Sequence, residues 1–217
     1  MKKLILPIFL LFFSLLSFHS KAQKDPQAKK VLDAMSERYQ AMNGFKADFD
    51  FTYRDAAGTS DKQTGEIAVK DEQYRLKLPD QEIFNNGKTV WTFIATDTYK
   101  EVTVNDVTQM EGELTPSNIY RMYEEGFDYR LKAEKQFQGK TVEVVELIAL
   151  QSGAPFERVN LFINKSSKNL MGWEMHDGQG TVFAYTFVNL QEGPSFENNY
   201  FSFDPKDHPG VEVIDLR

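Results

Sequence analysis

The sequence contains no cysteine, and this absence excludes two common features of exported proteins. A disulfide framework cannot form, and no lipid can be attached to an N-terminal cysteine. The fold must therefore be held together by a noncovalent core. A chain of this length can build such a core within one domain, and we expect a single domain over residues 23–217.

Histidine is scarce and the common catalytic motifs are absent. The sequence has three histidines and no G-x-S-x-G, H-E-x-x-H or phosphate-binding glycine loop. We expect His176 to face solvent from a strand and His208 to be exposed in a turn-rich tail. The carboxylate pair Asp48 and Asp50 is typical of a solvated strand face. These patterns predict a protein that is not an enzyme and that holds no metal or cofactor.

Long apolar runs are also missing, apart from one at the N-terminus over residues 4–18. Lys2 and Lys3 precede this run and Ser20-Lys21-Ala22 follows it. The pattern is typical of a secretory signal peptide and is too short for a transmembrane helix. We therefore expect residues 1–22 to be cleaved after Ala22 and the rest of the chain to reach the periplasm.

Positive charge is in deficit, with a net charge of −7 over the whole sequence. Cleavage after Ala22 would also remove three lysines and make the chain more acidic. A protein of this charge does not bind nucleic acid or anionic lipid headgroups through its overall charge. We expect no nucleic-acid partner.

Aromatic residues, in contrast, are plentiful: 18 Phe, 9 Tyr and 2 Trp. Residues 45–53 read FKADFDFTY, in which apolar and polar residues alternate with a period of two. Such alternation predicts a β-strand with one aromatic face and one wet face. The aromatic face could be ordinary core or the wall of a cavity for an apolar ligand, and the pattern alone favours core.

Strands dominate the rest of the chain. The sequence predicts them over residues 45–53, 64–70, 73–78, 82–85, 89–94, 98–104, 127–135, 141–149, 158–163, 170–176, 181–190 and 200–203. Turn residues separate them at short intervals. Strands of this length and spacing favour an antiparallel barrel or a strongly curved sheet.

Two helix starts interrupt the strand pattern. Asp25-Pro26 and Thr115-Pro116 each combine an N-cap residue with proline at the first helical position. The first helix is predicted to end at Asn43-Gly44, and the second, shorter one to end at Gly126. Helices inserted into such a sheet are expected to cover one of its faces or its opening.

Several segments resemble those of the periplasmic outer-membrane lipoprotein carrier family, LolA. They are NGFKADF at 43–49, GEIAVK at 65–70, NGKTVW at 86–91, TP at 115–116, FSFDP at 201–205 and GVEVID at 210–215. Their order and spacing match the family over nearly all of residues 23–217. The resemblance implies a mainly β fold: an unclosed antiparallel β-barrel, or half-barrel, with a lid of short helices.

The resemblance also implies a function. Family members carry lipoproteins across the periplasm by holding their acyl chains in the apolar space beneath the lid. The implied partners are acylated lipoproteins, an inner-membrane lipoprotein-releasing exporter and an outer-membrane acceptor, and the implied state is a monomer. Alternative functions are transport of another lipid, such as an acylated pigment or glycolipid, and a lipid-sensing regulator on the same half-barrel.

One departure from the family concerns the lid. Members typically carry Arg-Pro after the Val-Lys of the third strand segment, and that arginine bonds to the closed lid. Here Lys70 is followed by Asp71-Glu72-Gln73. Arg75, Lys70 and Arg121 are the candidates to replace the arginine, and the sequence does not choose among them.

The apolar residues of the predicted helices and strands provide the candidate lipid-binding residues. Methionines among them are typical of adaptable apolar surfaces. The predicted cavity and lid residues are Met35, Tyr39, Met42, Phe45, Phe49, Phe51, Tyr74, Leu76, Trp91, Phe93, Ile119, Met122, Tyr123 and Trp173.

Overall fold

The structure is a computed structural model that describes residues 24–110 and 115–217, with the side chain of Met110 excepted. The predicted signal peptide, residues 1–22, lies outside this part of the chain. Within the described residues, no helix is both long enough and apolar enough to cross a membrane.

The predicted first helix is confirmed as α1 (Pro26–Ala41). The Asp25 side chain accepts a hydrogen bond from the Gln27 amide at 2.8 Å, which caps the helix start. Its buried face includes Ala28, Leu32 and Met35, which recur at the spacing of one helical stripe. Gly44, with φ of +90°, then turns the chain into the first strand.

Thirteen strands form one sheet in the described part of the chain. They are β1 (Phe45–Arg54), β2 (Ser60–Lys70), β3 (Gln73–Lys77), β4 (Gln81–Asn85), β5 (Thr89–Ala95), β6 (Lys100–Asp106), β7 (Phe127–Leu131), β8 (Lys135–Phe137), β9 (Lys140–Ala149), β10 (Arg158–Asn164), β11 (Leu170–His176), β12 (Val182–Glu192) and β13 (Glu212–Asp215).

The strand order is β13-β6-β5-β4-β3-β2-β1-β12-β11-β10-β9-β7, with β8 paired to β9. All pairings are antiparallel except that of β13 with β6. The terminal strands β13 and β7 do not pair with each other, so the sheet is not closed. The predicted half-barrel with a helix is therefore confirmed.

The second predicted helix is wrong in detail. Residues 116–121 form turns, followed by one turn of 3₁₀ helix over Met122–Glu124. The Asn118 Oδ1 accepts from the Thr115 amide at 2.8 Å, as in a capping box. The backbone amides of Asn118, Arg121 and Glu124 then each bond to the carbonyl three residues earlier, so turns and a short 3₁₀ helix form in place of an α-helix.

Two predicted strands also differ. The strand expected over 127–135 is split into β7 and β8, which pair with different parts of β9. The strand expected over 200–203 is a turn, in which the amide of Ser202 bonds to the carbonyl of Asn199. Phe201 and Phe203 alternate there because both pack against other side chains, not because they lie in the sheet.

The two faces of the sheet are covered differently. We call the face that α1 covers the inner face and the opposite one the outer face. The inner face carries the main apolar cluster, which includes Phe45, Phe49 and Trp173. The outer face carries two smaller clusters, one around Phe84, Phe93, Val102 and Phe203 and one around Val142, Val144, Phe162 and Met171.

The C-terminal segment after β12 covers part of the outer face. Phe203 lies 5.6 Å from Phe84 and 5.2 Å from Phe93 between ring centroids, and His208 stacks on Phe203 at 4.5 Å. His208 is therefore partly buried, not exposed as predicted. His176 is also partly buried, with Asn160 Nδ2 3.3 Å from its Nε2.

Gly65 allows the close packing of β1, β2 and β3. A Cβ atom at this position would lie 2.5 Å from the Lys77 carbonyl oxygen and 2.5 Å from Cζ of Phe49. We expect Gly65→Ala to lower the free energy of unfolding by about 1–3 kcal/mol because the added methyl overpacks this site. Urea denaturation measures it. The neighbouring exposed change Thr64→Ala should stay within about 0.5 kcal/mol, and equal effects of the two changes would contradict the packing argument.

Candidate functional site

The candidate site is the apolar cluster between the inner face and its helical cover. Twelve of the fourteen predicted residues lie in or against this cluster: Met35, Tyr39, Met42, Phe45, Phe49, Phe51, Tyr74, Leu76, Ile119, Met122, Tyr123 and Trp173. Phe51, Leu76 and Met122 are partly buried at its periphery and the others are buried. Their placement agrees with a cavity wall and a lid, while acyl-chain binding by them stays a prediction.

Trp91 and Phe93 lie on the outer face, so their predicted place beside the inner cluster is wrong. Trp91 pairs with Phe84 across β4 and β5, and both belong to the cluster that Phe203 covers. On the inner face the corresponding pair is Ile83 with Thr92. Residues 90–94 are apolar on both strand faces, so the alternation that identifies an inner face is missing.

Aromatic rings run along the inner face in a continuous series. Phe45 contacts Phe187 at 5.9 Å, and Trp173 packs on Phe187 at 5.4 Å and stacks on Tyr185 at 4.8 Å between ring centroids. Tyr185 in turn lies 4.8 Å from Phe51. The series therefore leads from rings buried beneath α1 to rings beyond its cover.

The far end of this series is half-buried. We call these residues the aromatic mouth: Phe51, Tyr53, Phe156, Phe183 and Tyr185. Phe183 lies at its centre, 5.5 Å from Tyr53 and 5.8 Å from Phe156 between ring centroids. The sequence-based site list omitted the β12 rings, since that strand is apolar on both faces, and Phe156, which lies in a loop.

α1 is attached to the half of the sheet formed by β7 and β9–β12. The Asp25 amide donates to the Tyr129 carbonyl and its carboxylate accepts from the Leu131 amide, both at 3.0 Å. Near the other end of α1, the Tyr39 hydroxyl donates to the Leu170 carbonyl at 3.3 Å. Burial raises the pKa of Tyr39, so this hydroxyl remains a neutral donor. Hydrogen bonds thus fix both ends of the helix to one half of the sheet.

Residues 115–124, which we call the lid segment, pack against α1. The Tyr120 ring stacks on Tyr39 at 5.4 Å between centroids, with the ring planes 11° apart. The Tyr123 hydroxyl donates to the Asp33 carboxylate at 3.0 Å. Desolvation and the neighbouring Asp33 charge both raise the pKa of Tyr123, which keeps the phenol protonated. The lid segment and α1 therefore form one cover.

An ion pair joins this cover to the other half of the sheet. Arg121 of the lid segment lies 2.6 Å from the Glu72 carboxylate in the turn between β2 and β3. The two side chains are 38% and 64% exposed, and ion pairs this exposed contribute only about 0–1 kcal/mol. The pair can therefore hold the cover closed only weakly.

The same contact bears on the three candidates for the missing family arginine. Arg75, another candidate, pairs instead with Glu82 at 2.6 Å and lies against the outer-face ring of Phe84. Arg121 lies in the lid segment itself and is the candidate that joins it to the turn after Lys70. The turn after Lys70 supplies the carboxylate and the lid segment supplies the arginine, whereas the resemblance implies an arginine on the sheet that bonds to the lid.

The inner cluster is filled by the protein's own side chains in this conformation. Leu32, Met35 and Leu161 have no exposed surface. A groove of about 500 Å³ lies over β1–β3 and reaches Phe49 at the edge of this cluster, but its lining also includes the carboxylates of Asp48 and Glu66. An apolar ligand could therefore enter the inner cluster only if α1 and the lid segment gave way.

One polar atom in the cluster lacks a protein partner. The indole Nε1 of Trp173 is buried, and no described residue accepts a hydrogen bond from it. The whole residue is 5% exposed. Leaving a buried donor unpaired costs about 1–3 kcal/mol.

A solved structure of low sequence identity shares the fold, and others align with lower scores. An uncharacterized conserved protein from Thermus thermophilus superposes with a TM-score of 0.57 at 12% identity, covering 87% of this chain and 99% of that one. A LolA superfamily protein from Nitrosomonas europaea gives a TM-score of 0.46 at 13% identity, covering 82% and 98%. LprF from Mycobacterium bovis gives 0.45 at 14% identity, covering 83% and 100%.

No curated protein sequence matches the chain. A family model does match it over residues 40–204, which spans β1 to β12 and the lid segment, and the family is described as outer membrane lipoprotein carrier protein LolA. The protein belongs to the LolA family.

Proposed function

We propose that this protein is a periplasmic carrier that binds the acyl chains of lipoproteins against the inner face and shuttles them from the inner to the outer membrane. The observation that carries the proposal is the uneven attachment of the cover. α1 is hydrogen-bonded to one half of the sheet, whereas the exposed Arg121–Glu72 pair joins the lid segment to the other half. Such a cover can swing on one side and uncover the apolar cluster.

The size of the hydrophobic effect sets a limit on how the site works. Burying one methylene gains about 0.8 kcal/mol, so three acyl chains of about 15 methylenes could gain about 36 kcal/mol. Noncovalent affinity reaches at most about 18–21 kcal/mol. A carrier must also release its ligand, so part of the gain has to be offset.

The filled inner cluster supplies that offset. Opening the cover exposes side chains such as Leu32, Met35 and Ile119, which are fully or almost fully buried in the closed form. Exposing each such side chain costs about 1.5–3 kcal/mol. During binding, acyl chains then replace the protein's own apolar side chains in contact with the inner face. The net binding free energy is therefore much smaller than the free energy of burying the acyl chains alone.

Transfer in this scheme requires no covalent chemistry. An inner-membrane exporter would load the carrier and an outer-membrane acceptor would unload it, each step following a difference in affinity. The acidic surface favours a basic patch on either partner. We propose that the carrier acts as a monomer.

The bound material distinguishes this function from its alternatives. The protein is purified from the periplasm and its ligand is identified by mass spectrometry. Triacylated peptides are expected. An acylated pigment or a glycolipid would identify a carrier of another lipid, and the departure from the family sequence at residues 71–73 is the observation that favours this alternative. A regulatory protein bound in equal amount would identify a lipid sensor.

Crosslinking tests whether the cover must move. Because the chain has no cysteine, the variant Glu72→Cys/Arg121→Cys provides two unique thiols that a short bismaleimide can join. We expect the crosslinked protein to lose uptake of a synthetic triacylated lipopeptide, measured by co-elution. The same variant capped with N-ethylmaleimide is the control and should retain uptake. Equal uptake by the crosslinked and capped forms would show that the cover need not open.

Charge reversal tests the ion pair itself. Arg121→Glu places two carboxylates together, and we expect faster hydrogen exchange at the lid-segment amides, up to about fivefold for an exposed pair. Restoring the attraction in Arg121→Glu/Glu72→Arg should return the exchange towards the wild-type rate. If the double variant exchanges as fast as the single one, lid closure does not depend on this pair.

The aromatic mouth is expected to be the point at which an acyl chain first contacts the protein. Phe183→Ser removes the central, half-buried ring, and we expect about tenfold weaker binding of the lipopeptide. Tyr99→Ser is the matched control, since Tyr99 is 52% exposed and remote from the cluster. Titration by calorimetry measures both variants, and equal losses would mean that the mouth has no special role.

A further inference from the structure

Trp173 occupies the centre of the inner cluster on β11. It pairs in register with Leu161 of β10 and Tyr185 of β12. Tyr185 covers one face of its ring at 4.8 Å between centroids, and Phe187 packs on it edge to face at 5.4 Å. The indole is thus held between apolar and aromatic groups, which leave it little freedom to turn.

The unpaired Nε1–H is unusual in such a place. A buried tryptophan normally finds an acceptor for this group, and a phenylalanine would fill a purely apolar position without carrying an orphaned donor. Tyr39, in the same cluster, has its hydroxyl paired with the Leu170 carbonyl. An orphaned donor in a native structure calls for an explanation, which a ligand acceptor would supply.

We propose that the Trp173 indole N–H donates a hydrogen bond to an ester or amide carbonyl at the head of a bound acyl chain. This inference rests on the proposed carrier function and adds the chemical feature that the site recognises. Acylated lipids combine long methylene chains with a carbonyl at one end. The aromatic series provides surface for the methylenes, and Trp173 provides a donor for their carbonyl.

The same contact affects the balance between the closed and the loaded forms. In the closed form the Nε1–H is buried without an acceptor among the described residues. In the loaded form both the donor and the ligand carbonyl are satisfied, and the surrounding low dielectric strengthens their bond. The donor therefore favours loading by an acylated ligand and contributes nothing for a plain hydrocarbon chain.

Two probes of equal length separate carbonyl recognition from hydrophobic binding. One is a synthetic triacylated lipopeptide, and the other is its analogue in which all three chains are joined through ethers, with the amide nitrogen replaced by oxygen, so that the two probes carry the same charge. We expect the wild-type protein to bind the acyl probe about 3- to 10-fold more tightly. Trp173→Phe should bind both probes with the affinity that the wild type shows for the ether probe.

Binding of neither probe by the wild type would contradict the proposed function itself. Binding of both with equal affinity, or an unchanged preference in Trp173→Phe, would overturn the role of Trp173 alone. If the wild type prefers the acyl probe as expected, a third probe that retains only the amide carbonyl shows whether the ester or the amide is recognised.

A second measurement does not depend on the stability of Trp173→Phe. The chain has two tryptophans, and Trp91 lies on the outer face, so Trp91→Phe leaves the Trp173 indole as the sole indole N–H resonance. In this variant we expect the resonance to move downfield on addition of the acyl probe and not with the ether probe. Identical shifts with the two probes would also overturn the proposal.

Discussion

Burial of the inner aromatic face by α1 is the interaction on which the rest of this structure depends. The sheet ends at β7 and β13, which do not pair, so closure of a barrel cannot remove the inner face from water. Leu32 and Met35 of α1 reach into the cluster instead, together with Ile119 of the lid segment. A face covered in this way can be uncovered without breaking any pairing between strands.

The contacts of the cover differ in strength across the molecule. The hydroxyls of Tyr39 and Tyr123 make buried or partly buried hydrogen bonds, and burial keeps both phenols neutral by raising their pKa. Arg121 and Glu72 face water, where ionic attraction is screened. Displacement should therefore begin at the Arg121–Glu72 side, with the attachment of α1 to β7 and β11 acting as the hinge.

The sequence correctly predicted the elements whose local residue pattern matches the way they pack in the fold. In β1, polar residues alternate with aromatic ones, and this alternation alone identifies which side chains face inward. In β5 both faces are apolar, so the placement of Trp91 and Phe93 depended on register with β4, which no local pattern encodes. Thr115-Pro116 carries a helix-start signal, but the backbone bonds that follow span three residues, so turns and one 3₁₀ turn form in place of an α-helix. The Arg121–Glu72 pair joins residues far apart in sequence, and only the fold brings them together.

The outer face shows why we propose the inner one as the binding surface. Its cluster around Phe84 and Phe93 is covered by Phe203 and His208, and the chain then continues into β13, whose backbone hydrogen bonds to β6 anchor this cover within the sheet. The cover of the inner face is held at its free side by the exposed Arg121–Glu72 pair instead. Both faces are apolar, but the cover of one is continued by sheet pairing, whereas the cover of the other is a helix and a lid segment that add no strand to the sheet. That difference in attachment, more than a difference in hydrophobicity, is the reason to propose that the inner face, and not the outer one, exchanges its contents.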